Sequence, residues 1–313
     1  MKTLLRSIAD VAVILLLSIV AMMAGGLWLE SWDVHPLALP VHYFIAPLVY
    51  LAIYWRGFAH LKKRFYRDAF PTVSFPPRFK ASYFAWAFAL VGLCSLGILA
   101  VGVQVVFPQI DPHLLWQFSA GLLGTMIIMP FLEEVTFRVV ILGQIAKRYG
   151  IWAGMTVSSL VFAAMHMLNG RLDLFSAVQL LVGGFLMGMV LSVAYLKGQS
   201  MWFSFTIHAV YNSVFSLIVV TPEATPDWPV QFVYNSNNQL LSGGIYGFDV
   251  GLTNMLAYEI VLLALIVSIH RQGSSLPQLW ERINEKSAAS SEPVPAEIAP
   301  AGAVVVSAPS VTI

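Results

Sequence analysis

The chain has 313 residues; 58% are hydrophobic, only 11% are charged, and the mean hydropathy is +0.77. Soluble domains carry about 25% charged residues, so this composition excludes a water-soluble globule, a disordered chain and a nucleic-acid-binding protein. The formal net charge of +1 is uninformative as a sum. Because the apolar residues form long unbroken runs, we predict a polytopic helical membrane protein and no transmembrane β-barrel.

Eight apolar stretches are long enough to cross the hydrocarbon core, which takes roughly 17 to 25 residues. We predict spans over 8–29, 40–56, 82–107, 115–146, 151–168, 174–196, 199–220 and 251–270. The fourth would measure about 48 Å at about 1.5 Å per residue, so it must tilt, kink or protrude. Pro130 is its natural kink, because the proline ring removes one backbone hydrogen bond. The predicted fold class is therefore all-α, a transmembrane bundle of about eight spans.

The placement of basic residues predicts the orientation. The first span follows Lys2 and Arg6 and lacks a small-residue cleavage site, so we expect an uncleaved anchor. If the N-terminus is cytoplasmic and the spans alternate, 15 of the 17 basic residues fall on the cytoplasmic side. Arg171 lies outside and Arg138 lies within the fourth span. The positive-inside rule then places both termini in the cytoplasm.

The predicted spans divide the chain into four regions. Residues 1–114 hold three spans and a basic cytoplasmic loop, and 115–220 hold spans four to seven. An outside loop and the eighth span occupy 221–272, and a tail over 273–313 is expected to be disordered after a short amphipathic piece around Trp280.

Three further features of the sequence are the basic loop, a pair of glycines and Glu259. The basic loop is interpreted as an ordinary topogenic loop, with binding of anionic lipid headgroups as the alternative. Gly184 and Gly188 form a small-xxx-small pair, which predicts close helix packing. Glu259, in the eighth span, has no visible basic partner and receives no role.

Ionisable side chains inside a span are costly and therefore indicate function. The polar groups of interest are Glu133, Glu134 and Arg138 in the fourth span, His166 in the fifth, and His208 and Asn212 in the seventh. Counted from the cytoplasmic helix ends, Glu133, His166 and Asn212 all lie about 20 Å deep at about 1.5 Å per residue. This shared depth predicts one site built from three helices.

Helical spacing assigns partners within the fourth span. Adjacent residues point about 100° apart, so Glu133 and Glu134 are expected to face different ways. Glu134 and Arg138 are i,i+4 and can neutralise each other. Glu133 is then free to face His166 or a cavity.

The other two spans show the same spacing. His208 and Asn212 are i,i+4, so both are expected to face one partner. Phe162 lies one turn before His166 and is expected to wall its ring.

These groups fit water attack on a carbonyl, which is peptide hydrolysis. A carboxylate beside a neutral imidazole can hold and deprotonate water. A second histidine with an asparagine amide can donate hydrogen bonds to the developing oxyanion. The same Glu133, His166 and His208 could instead ligate zinc with one open position for water. The residues leave both mechanisms open.

Signatures of other intramembrane proteases are absent from the sequence. It contains no HExxH motif of zincins and no GxSG motif for a serine nucleophile. The stretch from Tyr246 to Asp249 faintly resembles an aspartyl motif, but it lies in the predicted outside loop and is interpreted as a turn.

Three motifs together resemble a known family. They are EExxxR at Glu133, Glu134 and Arg138, FxxxH at Phe162 and His166, and HxxxN at His208 and Asn212. This set resembles the CAAX-processing endopeptidase and bacteriocin-processing (CPBP) family, intramembrane peptidases similar to the type II CAAX prenyl endopeptidase and to lysostaphin-resistance-protein-A-like proteins. The resemblance covers roughly 115–220.

The resemblance implies a helical core with a cavity that opens toward the cytoplasm. It implies that Glu133 and His166 activate water, that His208 and Asn212 stabilise the oxyanion, and that the remaining pair, Glu134 and Arg138, holds the site together. Such peptidases are often catalogued as metalloenzymes, and a metal-free glutamate mechanism has also been argued, so zinc stays open.

The resemblance also implies partners and a location. The substrate is expected to be a membrane-associated protein or peptide, which is lipidated in some members, and the protein is expected to contact membrane lipid but no nucleic acid. The expected location is a multi-pass position in a bacterial plasma membrane.

Two other classes of protein remain as alternatives. One is a non-catalytic membrane scaffold or bacteriocin-immunity protein that binds a partner. The other is a proton-coupled transporter, although the repeated halves typical of transporters are not visible in the sequence. A further and weaker alternative, after these two, is a haem protein with His166 and His208 as ligands.

Overall fold

The computed structural model describes residues 2–30, 39–65, 77–109, 122–169, 171–221, 223–224, 228, 230–234 and 238–289. Four predicted features lie partly outside these ranges: the start of the fourth span, residues 66–76 of the basic loop, parts of the outside loop between 222 and 237, and the end of the tail from residue 290.

The described residues are mostly helical, as predicted. The helices before the central run are α1 (Lys2–Glu30), α2 (Leu39–Phe65) and α3 (Ala81–Val101). The central run, 122–149, contains α4 (Met129–Glu133) and α5 (Gly143–Tyr149). The later helices are α6 (Ile151–His166), α7 (Leu174–Gly198), α8 (Met201–Leu217), α9 (Gln239–Ser242), α10 (Leu252–Arg271) and α11 (Leu276–Ala289).

Five helical stretches among the described residues are long and apolar enough to cross a membrane by length and composition: Lys2–Gly26, Phe44–Lys62, Ala81–Val101, Leu174–Gly198 and Leu252–Arg271. Helix α6 is apolar but shorter. An integral membrane protein is thus confirmed at this level, and the exact number of eight spans stays a prediction.

The central run departs from α geometry on both sides of α4. It is π-helical over Gly124–Ile128 and again over Glu134–Leu142. Pro130 lies in the first turn of α4, so the irregularity extends well beyond the proline that the sequence singled out. Every residue of the second π segment is buried, which makes it the centre of the bundle. π-helical turns inside helices occur frequently at functional sites.

A small sheet, which the sequence did not predict, accompanies the helical bundle. The strands β1 (Val103–Val106), β2 (Val219–Thr221) and β3 (Gln231–Tyr234) form a sheet in the order β1-β3-β2. Strand β3 pairs antiparallel to β1, with Val103 opposite Tyr234, and parallel to β2.

The sheet also shortens two predicted spans. The third span was expected to reach residue 107 and the seventh residue 220, but α3 ends at Val101 and α8 ends at Leu217. The valine-rich segments that follow these helices favour β structure, and Gly102, with φ of 82°, allows the chain to leave α3.

Helices α6 and α7 pack closely through small residues, as the small-xxx-small pair predicted. A Cβ atom added at Gly188 would lie 2.9 Å from Ser159 Cα, and one added at Gly184 would lie 2.9 Å from Ala163 Cβ. The close approach brings the fifth and sixth spans together beside the central run.

The N-terminal helices are fastened to the central run by hydrogen bonds. The hydroxyl of Thr136 lies 2.6 Å from Tyr54 Oη on α2 and 3.2 Å from Ser18 Oγ on α1. At the other end of the run, the Arg148 guanidinium donates to the Asp10 carboxylate and to Ser7 Oγ. The predicted division at residue 114 therefore separates segments that pack directly on one another.

The amphipathic piece around Trp280 is the helix α11. Its apolar side chains Leu276, Leu279, Trp280 and Ile283 are buried against the core, and its charged residues face outward.

Replacing Thr136 by valine should lower the free energy of unfolding by about 2 kcal/mol, because two hydroxyl hydrogen bonds are lost at constant shape. Thermal unfolding of purified protein in detergent measures the change. The control is Thr253→Val, whose hydroxyl is buried without a hydrogen bond among the described residues. Equal losses in both variants would contradict a fastening role for Thr136.

Candidate active site

The two glutamates meet at one histidine. His208 Nδ1 lies 3.0 Å from Glu134 Oε1, and His208 Nε2 lies 3.5 Å from Glu133 Oε2. Adjacent glutamates were expected to face different ways. Their carboxylates instead approach the same imidazole ring, each at a different nitrogen. The imidazole of His208 therefore joins the fourth and seventh spans.

One ring nitrogen of His208 has a hydrogen-bond partner. Nδ1–H donates to Glu134, because a carboxylate only accepts. An imidazole donates from Nε2 as well only when the ring is doubly protonated. The His208 side chain is 5% exposed and the Glu134 side chain 0%, whereas Glu133 is 18% exposed and so keeps access to a cavity.

Arg138 is the counter-ion of Glu134. Its Nε lies 3.5 Å from Glu134 Oε2, and both side chains are 0% exposed. None of its three nitrogens makes a hydrogen bond to a described group. The guanidinium carbon instead lies 5.0 Å from the centroid of the Phe162 ring, within the range of a cation–π contact. Charge and ring together thus hold Arg138 at the centre of the bundle.

Phe162 connects the charged groups with both histidines. Its ring centroid lies 4.5 Å from that of His166 and 6.0 Å from that of His208. It also meets Phe137 edge to face at 5.2 Å. The expected wall beside His166 is therefore present, and it covers Arg138 as well.

His166 has a defined hydrogen-bond partner. Its Nδ1 lies 2.8 Å from the carbonyl oxygen of Phe162. A carbonyl only accepts, so Nδ1 carries the proton and, in the neutral ring, Nε2 offers a lone pair. An imidazole in this tautomer can accept a proton from water.

Two cavities meet His166 from different sides. The first is lined by Glu133 and His166 together with side chains of α1 and α2, among them Ser18 and Tyr50. The second is lined by His166 and Asn212 and by residues of α7, α10 and the 243–250 loop. His208 contacts the two glutamates, and Asn212 lines the second cavity.

Sequence reasoning missed several residues that line these cavities. Ser18 and Tyr50 stand alone in apolar spans, where nothing in the sequence distinguishes them from packing residues. Asp249 lines the second cavity, although its stretch was interpreted as a turn. The faint aspartyl motif was the signal that could have drawn attention to it.

The described side chains do not form a three-ligand metal site. No group of three or more His, Cys, Asp or Glu residues is suitably arranged within the described ranges. The zinc alternative thus receives no support from the donor geometry.

Comparison with known proteins agrees with the motifs. Residues 115–214 match the family model described as Type II CAAX prenyl endopeptidase Rce1-like. The match agrees with the resemblance that the three motifs carry. A search of curated proteins finds no significant match.

Replacing Arg138 by alanine should cost about 3–5 kcal/mol of stability, because Glu134 would keep a buried charge without its counter-ion. Size-exclusion profiles and thermal unfolding in detergent measure the loss. The double variant Glu134→Gln/Arg138→Met removes both charges at similar volume and should restore a folded protein. A well-folded Arg138→Ala protein would show that the pair does not maintain the site.

Proposed function

We propose that the protein is an intramembrane endopeptidase in which Glu133 and His166 activate water for attack on a peptide bond. The observation that carries the proposal is that Glu133 and His166 both line the first cavity. The hydrogen bond of His166 Nδ1 to Phe162 leaves Nε2 as an acceptor. Glu133 reaches the same cleft with its partly exposed carboxylate.

The proposed reaction begins with a water molecule in the first cavity. Its proton passes to the Glu133 carboxylate or to His166 Nε2, and the hydroxide adds to the carbonyl carbon of the substrate. The resulting oxyanion accepts hydrogen bonds from His208 Nε2–H and from the Asn212 amide. Collapse of the intermediate breaks the C–N bond, and the proton returns to the leaving amine.

Supporting residues keep the donors in position. Glu134 holds His208 Nδ1, so the other ring nitrogen points toward Glu133 and the reaction site. Arg138 balances the charge of Glu134, and Phe162 packs beside Arg138 and both imidazoles. No covalent intermediate and no metal-dependent step is required.

The substrate class follows from the location of the cleft. Its walls are largely apolar and come from α1, α2, α6 and the central run. A membrane-associated protein or peptide, with or without a lipid group, suits such a site better than a soluble peptide. We place the enzyme in a bacterial plasma membrane with both termini cytoplasmic.

Glu133→Gln and His166→Ala should each abolish proteolysis and leave the protein folded in the membrane. Comparison of the membrane proteome with wild-type or variant protein present identifies substrates as proteins that remain uncut. Glu259→Gln is the matched control, because its carboxylate is exposed on α10 and lines neither cavity. Full cleavage by Glu133→Gln would overturn the assignment.

Chelation should leave the activity unchanged, because the described donors do not converge as a three-ligand site. Metal analysis of the purified protein, with activity before and after dialysis against EDTA, provides the measurement. Loss of activity that added zinc restores, together with about one zinc per chain, would show that a metal mechanism operates instead.

A further inference from the structure

One wall of the second cavity is held in place by hydrogen bonds between the 243–250 loop and α7. The backbone N–H of Ile245 donates to Ser176 Oγ at 2.9 Å, and Gln179 Nε2 donates to the carbonyl oxygens of Leu240 at 3.1 Å and Val250 at 3.4 Å. These bonds fasten the 243–250 loop to α7.

Glycine allows this loop to lie directly on α7. A Cβ atom at Gly183 would lie 3.2 Å from Val250 Cβ, which is closer than most side chains tolerate. The loop itself turns at Gly243, Gly244 and Gly247, where φ is positive. Its position beside the cavity is therefore fixed by sequence-specific contacts.

Asp249 is presented to the cavity by two tyrosines. Tyr211 Oη donates to Asp249 Oδ1 at 2.7 Å, and Tyr258 Oη donates to the Asp249 backbone oxygen at 2.8 Å. Both donors are neutral hydroxyls, so they orient the carboxylate without cancelling its charge. Asp249 itself lines the cavity, and the described hydrogen bond to its carboxylate is made to Oδ1.

The cavity contains one carboxyl side chain, that of Asp249, which shares the lining with the imidazole of His166. Among the described residues that line it, Asp249 is the only acidic side chain, and no lysine or arginine is present. The opposite walls are apolar and include Phe162, Leu180 and Met187. A long side chain with an apolar stem and a cationic head fits both properties, because lysine and arginine bury their stems while the charge seeks a partner.

We propose that this cavity is a specificity subsite that binds a lysine or arginine side chain of the substrate close to the scissile bond. His166 lines this cavity as well as the cleft with Glu133, so a peptide cleaved there reaches Asp249 within a few residues. The side chains of Tyr246 and Tyr258 line the same cavity. This inference rests on the proposed peptidase function.

The test uses synthetic peptides that contain one hydrophobic span and a randomised flanking segment, reconstituted with purified protein in liposomes. Mass spectrometry maps the cleavage sites. Wild-type protein should prefer lysine or arginine at one fixed position by about tenfold in kcat/KM, as expected for a charge-assisted hydrogen bond.

Variants separate the charge of Asp249 from its structural contacts. Asp249→Asn should remove the preference while cleavage of peptides with neutral residues at that position persists, and Asp249→Lys should favour aspartate or glutamate. Tyr211→Phe keeps the carboxyl group but removes the hydroxyl that orients it, so it should weaken the preference less than Asp249→Asn does. Glu259→Gln, which removes an exposed carboxylate elsewhere, should behave as the wild type.

Each outcome has a distinct meaning. Cleavage without a preference for basic residues overturns the subsite and leaves the peptidase proposal standing. An equal loss on all peptides in Asp249→Asn overturns it as well, because Asp249 then acts through the fold. Absence of cleavage by the wild type on every peptide overturns the peptidase proposal, and the subsite falls with it.

Discussion

A buried charge needs an opposite charge beside it, and this constraint governs the centre of the bundle. Glu134 and Arg138 are both 0% exposed and lie i,i+4 on the central run. His208, from another helix, contacts the second oxygen of Glu134. Because water is scarce there, the loss of one member leaves the others unbalanced. The same network that tolerates the buried charges therefore also orients the imidazole that the proposed mechanism uses.

Two cavities lie beside this network of charged groups. Phe162 packs against Arg138 and both histidines, so the charged core is covered by an aromatic ring. On one side, α1 and α2 close a cleft over Glu133 and His166. On the other side, the 243–250 loop closes a cavity over His166 and Asn212. A peptide bond held beside His166 would contact the water-activating pair from one side and an oxyanion donor from the other.

The sequence predicted the parts of this architecture that depend on local spacing. Apolar run lengths gave the helices, and the i,i+4 spacing gave the pairing of Glu134 with Arg138. The strands β1 and β2 were missed because valine-rich segments that continue a span look the same whether they remain helical or form strands. The contacts of His208 with both glutamates were missed because they depend on the π-helical geometry and on the packing of distant helices. The docking of Asp249 depends on contacts with α7 and α10 that no spacing rule reveals.

In the proposed mechanism, Glu133 together with His166 activates water in a site that the buried charges maintain. The most direct test is cleavage of a membrane-inserted peptide by purified protein in liposomes, with products identified by mass spectrometry for wild type and Glu133→Gln side by side. We expect two product fragments with wild-type protein and none with the equally well-folded variant. Equal cleavage by both proteins would contradict it.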